Sequence, residues 1–179
     1  MQKYIALLRG INVGGKNKIS MQELKMIFED NGYKDVVTYI NSGNVIFSSR
    51  NDDEREIRKR CELAIADKFN LNIVVTIISS GDLSTALRNA PTWWDKDMQS
   101  KHNAIFVIPP ATATEIIEQV GIAIPEYEQV SYYGRVIFWS APIRTFSRTR
   151  WAKIVGKPAY NSVTIRNANT TKKLLQLLE

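Results

Sequence analysis

A chain of 179 residues, 44% apolar and 23% charged, fits one ordinary domain or two small ones and can build a sizeable core. No apolar run approaches the roughly 20 residues that span a bilayer, and the start Met1-Gln2-Lys3-Tyr4 lacks the pattern of a signal peptide. One cysteine, Cys61, excludes an internal disulfide, so a cytoplasmic protein without membrane association is expected. The net charge of +6 is concentrated: residues 144–179 hold eight cations and one acid, and the remainder sixteen cations and seventeen acids. A local excess of this kind points to an anionic partner, although a solvated basic face needs none.

Lys3–Leu8 reads as a buried strand. It runs into the loop Arg9-Gly10-Ile11-Asn12-Val13-Gly14-Gly15-Lys16-Asn17-Lys18, with three glycines, three cations and two asparagines in ten residues. A helix follows, with Ser20 and Glu23 as a capping box, Ile19 and Leu24 as a hydrophobic staple, and Gly32 as its left-handed stop. Strands Val36–Ile40 and Val45–Ser48 flank the turn Asn41-Ser42-Gly43-Asn44, whose residue types suit a tight hairpin. A second helix covers Asp53–Phe69, with Ile57, Cys61, Ala64, Ile65 and Phe69 on one face, and a strand covers Ile73–Ile78. The order β-α-β-β-α-β is the ferredoxin-like split unit.

A short helix, Asp82–Asn89, leads into a polar linker that contains Trp93, Trp94 and His102. The pattern then restarts with strand Ala104–Ile108 and a helix capped by Thr112 and Glu115 that ends at Gly121. A hairpin of Gln129–Tyr132 and Arg135–Trp139 follows, then a short helix over Arg148–Val155, strand Ser162–Arg166 and a final helix, Thr170–Leu178, capped by Asn169. The hairpins read alike, Gly43-Asn44-Val45-Ile46-Phe47 beside Gly134-Arg135-Val136-Ile137-Phe138. The expected fold is α+β: two tandem ferredoxin-like αβ plaits with an appended C-terminal helix. The expected division is residues 1–88, a linker at 89–102, and 103–179.

Gly10, Gly15 and Lys16 fit the phosphate-loop spacing, but Asn17 stands where a hydroxyl should hold magnesium, and the helix starts only at Ser20. That disfavours a nucleotide hydrolase and leaves a looser anion site. Candidate ligand-binding residues are Arg9, Asn12, Gly14, Gly15, Lys16 and Asn17 in this loop, and Ser42 and Asn44 in the turn. Arg148 and Arg150 beside Trp151, and Arg166 and Asn167 before the last helix, complete the set. Trp151 reads as core, Cys61 as a packed thiol, and Trp93 and Trp94 as a plug between the plaits. One histidine and one cysteine make no zinc site, no cofactor is implied, and His102 has no sequence-adjacent partner for a serine–histidine device. Plaits have one open sheet face, but a single aromatic in the strand motif, Phe47, disfavours RNA recognition of the stacking type. The open faces are expected to pack on each other or on a second chain, so a homodimer is possible.

Three motifs resemble the signature of a bacterial family known as a domain of unknown function. They are Leu8-Arg9-Gly10-Ile11-Asn12-Val13-Gly14-Gly15, Thr38-Tyr39-Ile40-Asn41-Ser42-Gly43-Asn44-Val45 and Thr164-Ile165-Arg166-Asn167-Ala168-Asn169-Thr170. Ala168 departs from that family, where a tryptophan is expected. The resemblance implies tandem plaits and a cytoplasmic bacterial protein, and it marks the opening loop, the Ser42-Gly43-Asn44 turn and Arg166-Asn167 as hallmarks. Three functions stay open: a binding protein for a phosphorylated small molecule or a nucleic acid, an enzyme on a phosphorylated substrate, and an interaction or dimerisation module.

Overall fold

The computed structural model describes residues 1–50 and 53–179. In chain order the elements are β1 (Gln2–Leu8), α1 (Met21–Asp30), β2 (Lys34–Tyr39), β3 (Asn44–Ser49), α2 (Glu54–Phe69), β4 (Val75–Ser79) and α3 (Ser80–Arg88). Then come β5 (Ser100–Val107), α4 (Ala113–Val120), β6 (Gln129–Tyr133), β7 (Val136–Pro142), β8 (Val163–Asn167) and α5 (Ala168–Leu178). Two four-stranded antiparallel sheets form, ordered β2-β3-β1-β4 and β6-β7-β5-β8. The fold is therefore α+β with two tandem plaits. Contacts group Met1–Leu83 with Lys173–Glu179 as one compact unit and Ser84–Lys172 as the other, so α5 starts in the second unit and ends in the first. In the first unit Lys3 Nζ donates to the Leu178 carbonyl at 2.6 Å, tying that helix end to β1.

The first core forms where one face of the sheet meets α1 and α2. Phe47 is its centre: Tyr33, Phe28 and Tyr4 lie with ring centroids 4.6, 5.3 and 5.9 Å away. This aromatic cannot serve as a stacking platform for a base. Ile5, Leu7, Ile46 and Ile78 on the opposite face are also buried. Ser20 caps α1 by accepting from the Glu23 amide at 3.4 Å. At the other end Gly32, with φ +87°, lets its own N–H reach the Glu29 carbonyl and the Tyr33 N–H reach Phe28, while the rings of Phe28 and Tyr33 meet at 5.7 Å. That is a complete left-handed helix stop with its hydrophobic contact.

The second core places Ile105, Ile137, Trp139 and Val163 against α4 and the buried Trp151 and Ile154. Thr112 and Glu115 make both halves of the capping box on α4. The expected helix over Arg148–Val155 is instead part of three 3-10 turns, Ile143–Arg148, Trp151–Gly156 and Pro158–Ser162. Thr149 and Lys157 are extended between them (ψ 150° and 153°), and Pro158 opens the third. The break is local: Thr149 Oγ1 donates to Phe146 O at 2.7 Å and accepts from Ala152 N at 3.2 Å, so the hydroxyl caps a turn where an α-helix would have continued. Glu128 supplies what the missing helix does not. Only 3% exposed, its Oε1 accepts from Ile124 N (3.1 Å) and Arg150 N (2.9 Å), and its Oε2 from Trp151 N (3.1 Å) and Trp139 Nε1 (3.2 Å).

Two of the element starts that differ from expectation have a clear structural reason. β5 begins at Ser100 and not Ala104, because the polar residues Ser100 to Asn103 continue the ladder opposite Pro142 to Trp139 on β7, which apolar patterning cannot reveal. His102 is therefore on a strand. α5 begins at Ala168, and its cap is Asn167, whose Oδ1 accepts from Thr170 N at 2.8 Å, and not Asn169.

Two predictions follow from the cores. Burial pushes the Cys61 thiol up to about 12 and raises the neighbouring Tyr33 phenol, which the Cys61 Sγ meets at 4.0 Å. The folded thiol keeps its proton where the unfolded one, titrating at about 8.5, loses it. Its contribution is complete below that pH and is lost as pH rises toward 12. Native protein should resist a thiol reagent at neutral pH, and urea midpoints measured from pH 8 upward should fall less steeply in Cys61→Ala than in the parent. Glu128→Ala strands four N–H donors and should cost on the order of 3–5 kcal/mol in chemical denaturation, the penalty of removing one partner from a buried charged network.

Candidate functional site

The opening loop is a miniature hairpin. Asn12 N–H donates to Asn17 O at 3.1 Å and Lys16 N–H to Val13 O at 3.0 Å, with a bridge between Val13 and Lys16. Gly14 and Gly15 form the tip with φ +57° and +74°, the pair of left-handed angles that a two-residue turn of this hand requires. This geometry also explains why no helix follows Lys16, and it separates the loop from a phosphate loop. Val13, Gly14, Gly15 and Lys16 are exposed, and Arg9 is half-buried with its N–H on Val74 O at 3.0 Å.

The asparagines hold this hairpin in place. Asn12 Nδ2 donates to both Ile19 O and Asn41 O at 2.9 Å, and its Oδ1 accepts from Ile19 N at 2.9 Å. One side chain thus clasps the hairpin base to the turn after β2. Asn17 Nδ2 donates to Gly10 O at 2.9 Å. Asn44 is fully buried, and its amide bridges Tyr39 O (2.9 Å) and Ser42 Oγ (3.0 Å). Gly43 packs so tightly beneath, with φ +82°, that a Cβ there would lie 2.7 Å from Ile11 Cδ1 and Leu8 Cβ. The structure therefore brings Arg9 to Asn17 together with Ser42 and Asn44, and it uses three of these side chains to build backbone.

In the second unit the candidates have separate partners. Arg148 lies over the Tyr127 ring, 5.8 Å from its centroid. Arg150 Nη1 donates to Ile122 O at 2.8 Å and packs against Gly121, where any Cβ would come within 2.9 Å of it. Arg166 is 9% exposed, burial lowers its guanidinium to about 10, and Nη1 donates to Ile165 O at 2.9 Å. Lys157 Nζ reaches Val120 O at 3.0 Å, and Lys172 pairs with Asp95. Five of the eight cations counted in 144–179 thus have intramolecular partners, and Asn167 caps α5. Trp151 is core, with Nε1 on Gly121 O at 3.1 Å. Trp94 packs edge-on to Phe138 at 5.0 Å and donates Nε1 to Asn103 O. Among the described residues no cluster of His, Cys, Asp or Glu is fit to hold a metal, and no helix is long and apolar enough to cross a membrane.

A cation cluster that sequence reading missed lies in the first unit. Gly32 and Lys34 at the α1–β2 junction, Ser49 and Arg50 at the end of β3, and Arg60 on α2 line a cleft of about 490 Å³. The antiparallel register sets Lys34 opposite Ser48, next to Ser49 and Arg50, and a bulge at Asp35 (φ +53°) re-aims the start of β2. Among the described residues no carboxylate lines this cleft. Among the described residues Lys34, Arg50 and Arg60 make no salt bridge. Only Arg60 belongs to a run of cations in sequence, Arg58-Lys59-Arg60, and Lys34 and Arg50 come from other elements.

The model of the family described as Protein of unknown function (DUF1697) matches residues 1–138. The chain belongs to this family. The solved structure of the conserved bacterial protein SP0830 from Streptococcus pneumoniae is similar over 99% of each chain, at 32% identity and a TM-score of 0.86. The match agrees with the bacterial origin that the motif resemblance implies. No curated protein matches the chain. Neither finding carries an activity.

Removing the Asn12 clasp tests this description of the hairpin. Asn12→Ala should cost about 1–3 kcal/mol and speed hydrogen exchange at the Ile19 amide, with the exchange of strand amides in β1 largely unchanged.

Proposed function

We propose that this protein binds a small phosphate-bearing ligand, and that the Lys34–Arg50–Arg60 cleft is its seat. One observation carries the reading: three cations line one cleft, and no carboxylate does among the described residues. Clustering like charges is unfavourable for the empty fold, and an anion relieves it. A volume of about 490 Å³ suits a phosphorylated metabolite or a mononucleotide. Arginines can take phosphate oxygens in bidentate fashion, and the Ser49 hydroxyl at the wall adds a donor. The Schellman closure of α1 moderates the partial negative charge of that helix end, which borders the cleft at Asn31 and Gly32. The opening hairpin, with Arg9 and Lys16, remains the competing seat.

Titration calorimetry with inorganic phosphate and a panel of nucleoside monophosphates and sugar phosphates, at low ionic strength where such contacts are strongest, tests this. Binding should weaken roughly tenfold for each cation removed, by the worth of a charge-assisted hydrogen bond. Arg50→Ala with Arg60→Ala should thus nearly abolish it, while Lys16→Ala leaves it unchanged. Loss in Lys16→Ala and not in the double variant moves the site to the hairpin. No binding of any phosphate compound at low salt refutes the function.

A further inference from the structure

The second unit carries a different constellation. On the sheet face opposite Trp139, the register lines up Gln129 on β6, Ser140 on β7 and His102 on β5 in one row. Ser140 Oγ lies 2.6 Å from His102 Nδ1, and His102 Nε2 lies 2.7 Å from the Asp97 carbonyl oxygen. A carbonyl can only accept, so the ring proton of neutral His102 sits on Nε2. Nδ1 then carries the lone pair, and the Ser140 hydroxyl must donate to it. This is the arrangement of an activated nucleophile: hydroxyl, base, and a third group that fixes the base's tautomer.

The orienting carbonyl is itself held. The Asp97 oxygen also accepts from Ser100 N at 3.1 Å. The Asp97 carboxylate accepts from Ser100 Oγ at 2.6 Å and Gln99 N at 2.9 Å, which pins the turn that presents the carbonyl. Ser140 and His102 line a cleft of about 290 Å³ whose walls include the aromatic residues Trp93 and Tyr127. Trp94, packed on Phe138 and bonded to Asn103, fixes the segment that carries Trp93.

We infer that Ser140 and His102 are catalytic residues for acyl transfer from a neutral ester or thioester with a flat apolar group. Ser140 Oγ attacks the carbonyl carbon as its proton passes to His102 Nδ1. The carbon–oxygen or carbon–sulfur bond of the ester breaks, and the leaving alcohol or thiol takes that proton. Water then attacks the acyl-serine, giving its proton to Nδ1, and Ser140 leaves with it as the free carboxylic acid departs. Asp97 is a positioning residue that acts through its carbonyl. The walls disfavour an anionic substrate, because the carboxylates of Asp97 and Glu126 outnumber the one cation, Lys96, even with the fully paired Glu128 left aside. This chemistry is independent of the anion cleft in the first unit.

Phenylmethanesulfonyl fluoride, a neutral aromatic sulfonylating agent, and p-nitrophenyl acetate are the probes, used on the full chain. The expected result is one sulfonyl adduct, mapped to Ser140 by peptide mass spectrometry, with release of p-nitrophenol above the buffer rate. Both should vanish in Ser140→Ala. His102→Gln, which keeps a side-chain amide near Ser140, should lower both by roughly a hundredfold, within the range of a lost general base, with an unfolding midpoint near the parent's. No adduct and no release, or an adduct that persists in Ser140→Ala, overturns the assignment. If Ser140→Ala fails to fold, Ser140→Cys decides: its thiol should alkylate with iodoacetamide much faster when His102 is present than in the His102→Gln background, and equal rates overturn the proposal.

Discussion

The buried Glu128 carboxylate is what allows the second plait to exist without a second crossover helix. A helix satisfies its own amides. Three 3-10 turns between β7 and β8 do so only in part, and two of the amides left over, on Arg150 and Trp151, point into the core beside the Trp139 indole. An acceptor with four lone-pair sites meets them, and Ile124 N as well. Charge is tolerable at this depth because every direction from the carboxylate meets a donor. Trp151 can then sit fully buried on α4 in place of a helix face. Asn12 plays the matching part in the first plait, where a side-chain amide substitutes for backbone partners at the base of a hairpin too short to hold itself.

Elements with local signals were legible in the sequence. Ser20, Thr112, Gly32 and the paired hairpin motifs each announce their geometry within four residues, and the strand order followed from them. The irregular crossover was not legible, since Glu128 acts on residues 22 and 23 positions away. Nor was the extension of β5, because a polar stretch becomes strand only when β7 offers it a partner. Composition marks Asn12, Asn17 and Asn44 as special, and only the contacts show that each amide builds the loop, since an amide that builds a loop and one that binds a ligand look alike in sequence. Ser140 and His102 lie 38 residues apart, and only the antiparallel register makes them neighbours.

Charge counting misleads in the same way. The segment 144–179 is the most basic stretch of the chain, yet its arginines and lysines largely brace carbonyls, a tyrosine ring and an aspartate. Such cations contribute a diffuse field but little free binding capacity. In the first unit cations and acids nearly balance in sequence, and folding brings Lys34, Arg50 and Arg60 to one cleft. The useful quantity is cations without a partner in one concavity, which is a property of the fold.

The two plaits place their clefts at the same end of the central strands but on opposite faces of the sheet, since Phe47 faces α1 and α2 whereas Phe138 packs on Trp94 on the face away from α4. Matching Phe47 with Phe138 matches Ser49 with Ser140, and the registers agree, since Gln2 pairs with Ser49 as His102 pairs with Ser140. The ends of the central strands remote from the hairpin are where the row of paired residues runs out of the core, so side chains there reach solvent from rigid backbone. In the first plait Arg50 follows the serine, and Lys34 and Arg60 flank it. In the second the serine faces an imidazole, with carboxylates around it. A shared strand register is thus combined with different sheet faces and different charge around the two serines.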